Sequence, residues 1–106
     1  MEAVAAYITA HDRAEAERLG RGLLEAHLVA CVNILEGARS LYWWQGKIEE
    51  TTECVLIAKS VAARQDAIVA KVKSLHGYKV PCVVFWPLSG GNPDFLEWIR
   101  TETGNA

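Results

Sequence analysis

The side chains of this chain that could do chemistry are few and widely spaced. Three cysteines (Cys31, Cys54, Cys82) and three histidines (His11, His27, His76) are its soft donors. Copper or zinc needs thiolate or imidazole ligands about 2.0–2.3 Å from one point. No pair of these residues stands at helical or strand spacing, so a metal site has to be assembled across the fold or across subunits. The donor set expected is Cys31, His76 and Glu53. A plain use competes for His76: capping free carbonyls at a helix end, where its charge suits the dipole. His11 and His27 lie beside expected helix ends and read the same way. No Cys-x-x-Cys pair exists, which excludes a zinc knuckle or thioredoxin-like motif. Each cysteine sits in an apolar, strand-like stretch, where a buried reduced thiol is ordinary.

Glu53, Lys59 and Tyr78 are the candidates for acid–base or anion-holding chemistry. Lys is rarely buried unpaired. Lys59 is therefore expected to pair with Glu53, either in a cleft or as an inter-subunit salt bridge that fixes register. There is no nucleophile elbow, P-loop or Ser-His-Asp order, so no motif supports an enzyme. Gly20-x-Gly22 lies inside a helical pattern and is no dinucleotide fingerprint. Ser89-Gly90-Gly91-Asn92 reads as a turn and cap, with a weak anion-binding signal.

The chain has 106 residues, one domain's worth over 1–106. Lys plus Arg is 11 and Asp plus Glu is 13, a net charge of −2. That argues against a dedicated nucleic-acid binder, which carries a basic face. The longest apolar stretches, Val29–Leu35 and Val80–Leu88, are far short of the roughly 20 residues that span a bilayer, so no membrane partner is expected. Met1-Glu2-Ala3-Val4 is no secretory signal. The expected address is the cytoplasm.

The elements that must position these residues follow from periodicity. Ala3–Ile8 is apolar on both faces, a central strand. Asp12 and Glu15 form a capping pattern before a helix whose buried face is Ala16, Leu19, Leu23 and Leu24. Residues 29–60 form one long hairpin, bent or bulged at Gly37 and turning at Gly46-Lys47. Val61–Leu75 is a second helix capped by Ser60 and ended by a left-handed Gly77. Val80–Leu88 is a last strand. Asn92 caps a short helix begun by Pro93, and Thr101–Ala106 frays.

The order is βαββαβ plus a C-terminal helix, an α+β, ferredoxin-like split βαβ with helices on one face of an antiparallel sheet. RNA-recognition motifs share this order, but Glu53–Ala58 lacks their aromatic residues. Acylphosphatases share it too, but Thr9-Ala10-His11-Asp12 is not their glycine-rich anion loop. Each hairpin arm of about 15 residues reaches roughly 50 Å, past a body about 33 Å across. Leu41-Tyr42-Trp43-Trp44 at its tip should not stay bare on a monomer, so a homo-oligomer is expected, most simply a closed ring.

Ala30-Cys31-Val32-Asn33-Ile34, Ser40-Leu41-Tyr42-Trp43-Trp44-Gln45-Gly46-Lys47-Ile48, Glu53, Lys59 and His76-Gly77-Tyr78-x-x-Pro81 together resemble the CutA divalent-cation-tolerance proteins. The resemblance runs from about Tyr7 to Trp98. It implies a ferredoxin-like homotrimer built through its long strands, resident in the cytoplasm and linked to tolerance of copper and other divalent metals. Copper or another divalent metal is the ion it implies, and no organic cofactor is expected. The inter-subunit cleft is expected to be lined by Trp44, Lys47, Glu53, Lys59, His76 and Tyr78. Nitrogen-regulatory PII proteins have a similar trimer, which gives the alternative: a PII-like sensor or scaffold holding a small ligand in that cleft. The chain departs from the family pattern at Gly77, where Pro is common, and at Lys79. Ile8 and Leu75 stand where some relatives carry Cys and His, so of that donor set only His76 remains.

Overall fold

The structure is a computed structural model and describes residues 2–104. Strand β1 (Ala3–Ala10) is buried along nearly its whole length, as its two apolar faces require. Asp12 then caps helix α1 (Arg13–Glu25), its carboxylate accepting from the Glu15 N–H at 2.9 Å. Glu15 reaches back to the N–H of His11 at 2.8 Å, one residue earlier than a standard capping box. Ala16, Leu19 and Leu23 are fully buried, but Leu24 turns outward and is exposed.

Strands β2 (Cys31–Trp44) and β3 (Lys47–Val61) form the long hairpin. The register slips between Leu35 and Ala38, around Gly37 with φ +83°. The turn is Gln45-Gly46, one residue before the expected pair. Both have positive φ, 53° and 81°, which a two-residue primed turn requires.

The second crossover differs more from expectation. Strand β3 runs on through Ser60 and Val61, and Ser60 is no helix cap. Its hydroxyl donates to the Leu28 carbonyl at 2.6 Å. A single 3₁₀ turn, Ala62–Arg64, precedes α2 (Gln65–Leu75). Gly77 is not left-handed: among the described residues the glycines with positive φ are Gly37 and Gly46. Strand β4 is short, Val83–Pro87, because residues 76–82 run irregularly past Pro81.

Helix α3 (Pro93–Gly104) is longer than expected. Thr101–Gly104 are helical because Thr103 is buried, its hydroxyl donating to the Ile99 carbonyl at 2.8 Å, and Arg64 Nε donates to the Thr103 carbonyl at 2.9 Å. The last two residues of the predicted frayed tail, 105–106, and Met1 of the N-terminal reading lie outside the described residues.

The four strands form one sheet in the order β2-β3-β1-β4, each antiparallel to its neighbours. Helices α1 and α2 pack on the face that carries Ile8, Leu56 and Ala58, with Ile68 and Val72 completing the core. Fully burying each such aliphatic side chain is worth about 1.5–3 kcal/mol. Val61 lies on the opposite face by strand alternation, and Ile99 of α3 packs against it together with Ala30. The terminal helix thus covers one end of the second face. Leu35, Val84 and Trp86 on that face remain exposed. The outer hairpin projects, giving overall extents of 44 × 25 × 22 Å. Trp43 at its tip is 72% exposed, and Leu41 and Ile48 are similarly bare.

Candidate functional site

The irregular run 76–82 meets the β1–α1 corner, and a buried polar network forms there. His76 is its centre, with a fully buried side chain. Its Nε2 lies 2.6 Å from the Thr9 carbonyl, which can only accept. Its Nδ1 accepts from the Tyr78 N–H at 3.0 Å. In these contacts Nε2 is the donor and Nδ1 the acceptor, and they occupy both ring nitrogens.

Glu15 ties the same corner from below. Its Oε1 accepts from the His11 N–H, and its Oε2 accepts from the Gly77 N–H at 2.8 Å. Burial alone would raise the Glu15 carboxyl; the His11 and Gly77 donors outweigh it and hold the group below the usual carboxylate range. A Cβ on Gly77 would stand 3.0 Å from Glu15 Oε2 and 3.4 Å from the His11 ring. Glycine is therefore used here for close approach, not for a left-handed turn. The His11 ring packs edge-on against Tyr78, centroids 4.0 Å apart.

Tyr78 carries the network outward. Its hydroxyl donates to Glu53 Oε2 at 2.5 Å. Burial, together with the bond to Glu53 and that carboxylate's charge, pushes the phenol well above its ordinary range, so it stays protonated as a donor. Beyond this clasp lies a cavity of about 550 Å³, whose walls include Tyr42, Trp44, Glu53, Tyr78, Lys79 and Cys82. Burial raises the Cys82 thiol, and the Glu53 charge raises it further.

The predicted site residues divide into two groups. Trp44, Glu53 and Tyr78 come together at the cavity, with His76 directly behind Tyr78. Lys59 and Cys31 do not join them. They pair with each other across β2 and β3, six residues along β3 from Glu53. At about 3.3 Å per residue that is roughly 20 Å. Within one chain Lys59 and Glu53 do not pair; Lys59 donates to Asn33 Oδ1 at 2.9 Å. Lys47 sits at the hairpin turn opposite Trp44. The expected metal set is likewise divided: Cys31 is remote, and both nitrogens of His76 are taken. Among the described residues no group of three or more His, Cys, Asp or Glu side chains is placed to hold a metal ion. One chain therefore does not fit a complete metal site.

Cys82, a soft donor, and Lys79, a departure from the family pattern, are cavity residues that the expected site sets left out. The signal was their nearness to Tyr78 in the chain, which matters only once Tyr78 is known to clasp Glu53. His27 is structural, its Nδ1 3.1 Å from the Glu102 carbonyl. At the Gly90-Gly91 turn, Asn92 Nδ2 donates to Asp94 Oδ1 within the start of α3. Among the described residues, no helix is long and apolar enough to cross a membrane.

The chain is similar to known proteins over nearly its whole length. A family model described as CutA1 divalent ion tolerance protein matches residues 4–102. The Pectobacterium atrosepticum divalent-cation tolerance protein CutA is 44% identical over 101 residues, covering 95% of this chain and 92% of that protein. The crystal structure of CutA1 from Oryza sativa is 36% identical with a TM-score of 0.96, covering 100% of this chain and 97% of that one. The Archaeoglobus fulgidus structure, named a periplasmic divalent cation tolerance protein CutA, is 40% identical with a TM-score of 0.92, covering 95% and 98%.

Proposed function

Since the chain belongs to the CutA1 divalent ion tolerance family, we propose that it serves divalent-cation tolerance as a homotrimer of ferredoxin-like subunits that binds copper or another divalent ion weakly. The observation that carries this reading is the pair Glu53 and Cys82 on one cavity. Glu53 keeps one oxygen outside its bond to Tyr78, and Cys82 supplies a soft sulfur. Two donors from one chain make an incomplete site, which accords with weak binding or with completion by a second copy. The trimer is supported by the bare apolar hairpin tip and the half-covered sheet face. Residence in the cytoplasm is part of the proposal, although the A. fulgidus relative is named periplasmic; cell fractionation with compartment markers decides it.

Zinc titration by calorimetry, with native mass spectrometry of the same samples, tests the reading. The expected result is a mass of three chains and a zinc affinity lowered by Cys82→Ser and by Glu53→Gln, but not by Cys31→Ser. Equal zinc affinity in wild type, Cys82→Ser and Glu53→Gln would remove the direct metal role.

A further inference from the structure

A buried carboxylate normally has its oxygens satisfied, because the desolvated charge is otherwise costly. Glu53 is 7% exposed, yet the Tyr78 hydroxyl on Oε2 is its only side-chain partner among the described residues. Oε1 is not sealed in: among the described residues no buried side-chain oxygen is left without a partner. Oε1 is thus the carboxylate oxygen left for a ligand in the 550 Å³ cavity that Glu53 lines, a volume in the range of small-molecule sites (about 300–1,000 Å³). Lys79 lines the same cavity and makes no ion pair among the described residues, whereas Arg39 on the same wall is already paired with Glu50. The rings of Tyr42, Trp44 and Tyr78 line the same cavity.

A simple anion would meet Lys79 but be repelled by Glu53. A simple organic cation would meet Glu53 but leave Lys79 without a partner. A small zwitterion with an apolar body satisfies both charges, and its ammonium gains further from nearby aromatic faces. We propose that this cavity binds an apolar α-amino acid. Its ammonium donates to Glu53 Oε1, its carboxylate accepts from Lys79 Nζ, and its side chain packs on Tyr42 and Trp44. This assignment rests on the cavity and not on the metal reading. The two occupants share Glu53 and exclude each other.

The test is calorimetric titration of the full chain with L-phenylalanine, 3-phenylpropionate (no ammonium) and 2-phenylethylamine (no carboxylate). Saturable binding of L-phenylalanine is expected, with each analogue at least about tenfold weaker. Glu53→Gln keeps an acceptor for Tyr78, and it and Lys79→Met should each weaken L-phenylalanine by a similar factor with unchanged circular dichroism. Added zinc should raise the apparent Kd. No saturable binding up to about 10 mM overturns the proposal. So does binding of 3-phenylpropionate as tight as that of L-phenylalanine, a comparison made on the wild type and independent of whether any variant folds. Zinc binding that depends on Cys82, with no amino-acid binding, would remove this proposal and leave the metal reading standing.

Discussion

His76 and Glu15 hold the site's shape through hydrogen bonds, with the His76 ring also packed on Tyr78. Replacing His76 with Phe leaves the Thr9 carbonyl and the Tyr78 N–H without their partner. A loss of about 1–3 kcal/mol is expected in denaturant unfolding, with zinc affinity unchanged, because both ring nitrogens are already engaged. A fall in zinc affinity in a folded His76→Phe would instead make His76 a ligand. Glu15 gives a pH signature. Its folded value lies below its ordinary 4.5, so its stabilisation is present above 4.5 and is lost as pH falls through the folded value. Melting temperature should drop more steeply in wild type than in Glu15→Gln as pH falls below 4.5. Parallel curves for the two would show that Glu15 is not the group responsible.

At the scale of elements, the hairpin and the 76–82 run behave differently. The hairpin is set by local backbone geometry. Gly46 holds φ +81° with open space around its Cα, so a side chain there meets no clash, only backbone strain. Gly46→Ala should cost about 1–2 kcal/mol in denaturant unfolding, and an unchanged midpoint would mean that the turn relaxes. The 76–82 run is set by distant partners. Gly77 is needed because Glu15, which is 62 residues earlier in the chain, comes within hydrogen-bonding reach of its N–H. Strand pairing for β4 is lost over Val80–Cys82 because this run turns toward Thr9 and Glu53 instead of continuing along β1.

At the scale of the molecule, two apolar surfaces stand uncovered, besides single side chains such as Val80. One is the hairpin tip, with Leu41, Trp43 and Ile48 bare; the other is the sheet face carrying Leu35, Val84 and Trp86. Helix α3 covers only the end near Val61. If these surfaces are the contacts of a trimer, Trp43→Ser should shift the mass in light-scattering chromatography from three chains toward one. A trimer unaltered in mass and melting temperature would remove the tip from the interface. The tip residue to test is Trp43 rather than Trp44, because Trp44 is 39% exposed and lines the cavity, while Trp43 is 72% exposed.

Periodicity, capping and turn chemistry already fixed the order of elements, the central place of β1, the Asp12 cap, the bulge at Gly37 and the projecting aromatic hairpin. These depend on interactions within a few residues or on a two-residue alternation, so a single chain read in order carries them. The pairing of Tyr78 with Glu53 was legible only as candidates for one cleft. Three outcomes needed the tertiary structure. Ser60 bonds to Leu28 instead of capping a helix; within one chain Lys59 bonds to Asn33 and not to Glu53; and His76 spends both nitrogens on Thr9 and Tyr78. The reason is the same in each case. A polar side chain takes whichever partner the fold brings within about 3 Å, and that partner is chosen by sheet register and packing over dozens of residues, which no local pattern encodes.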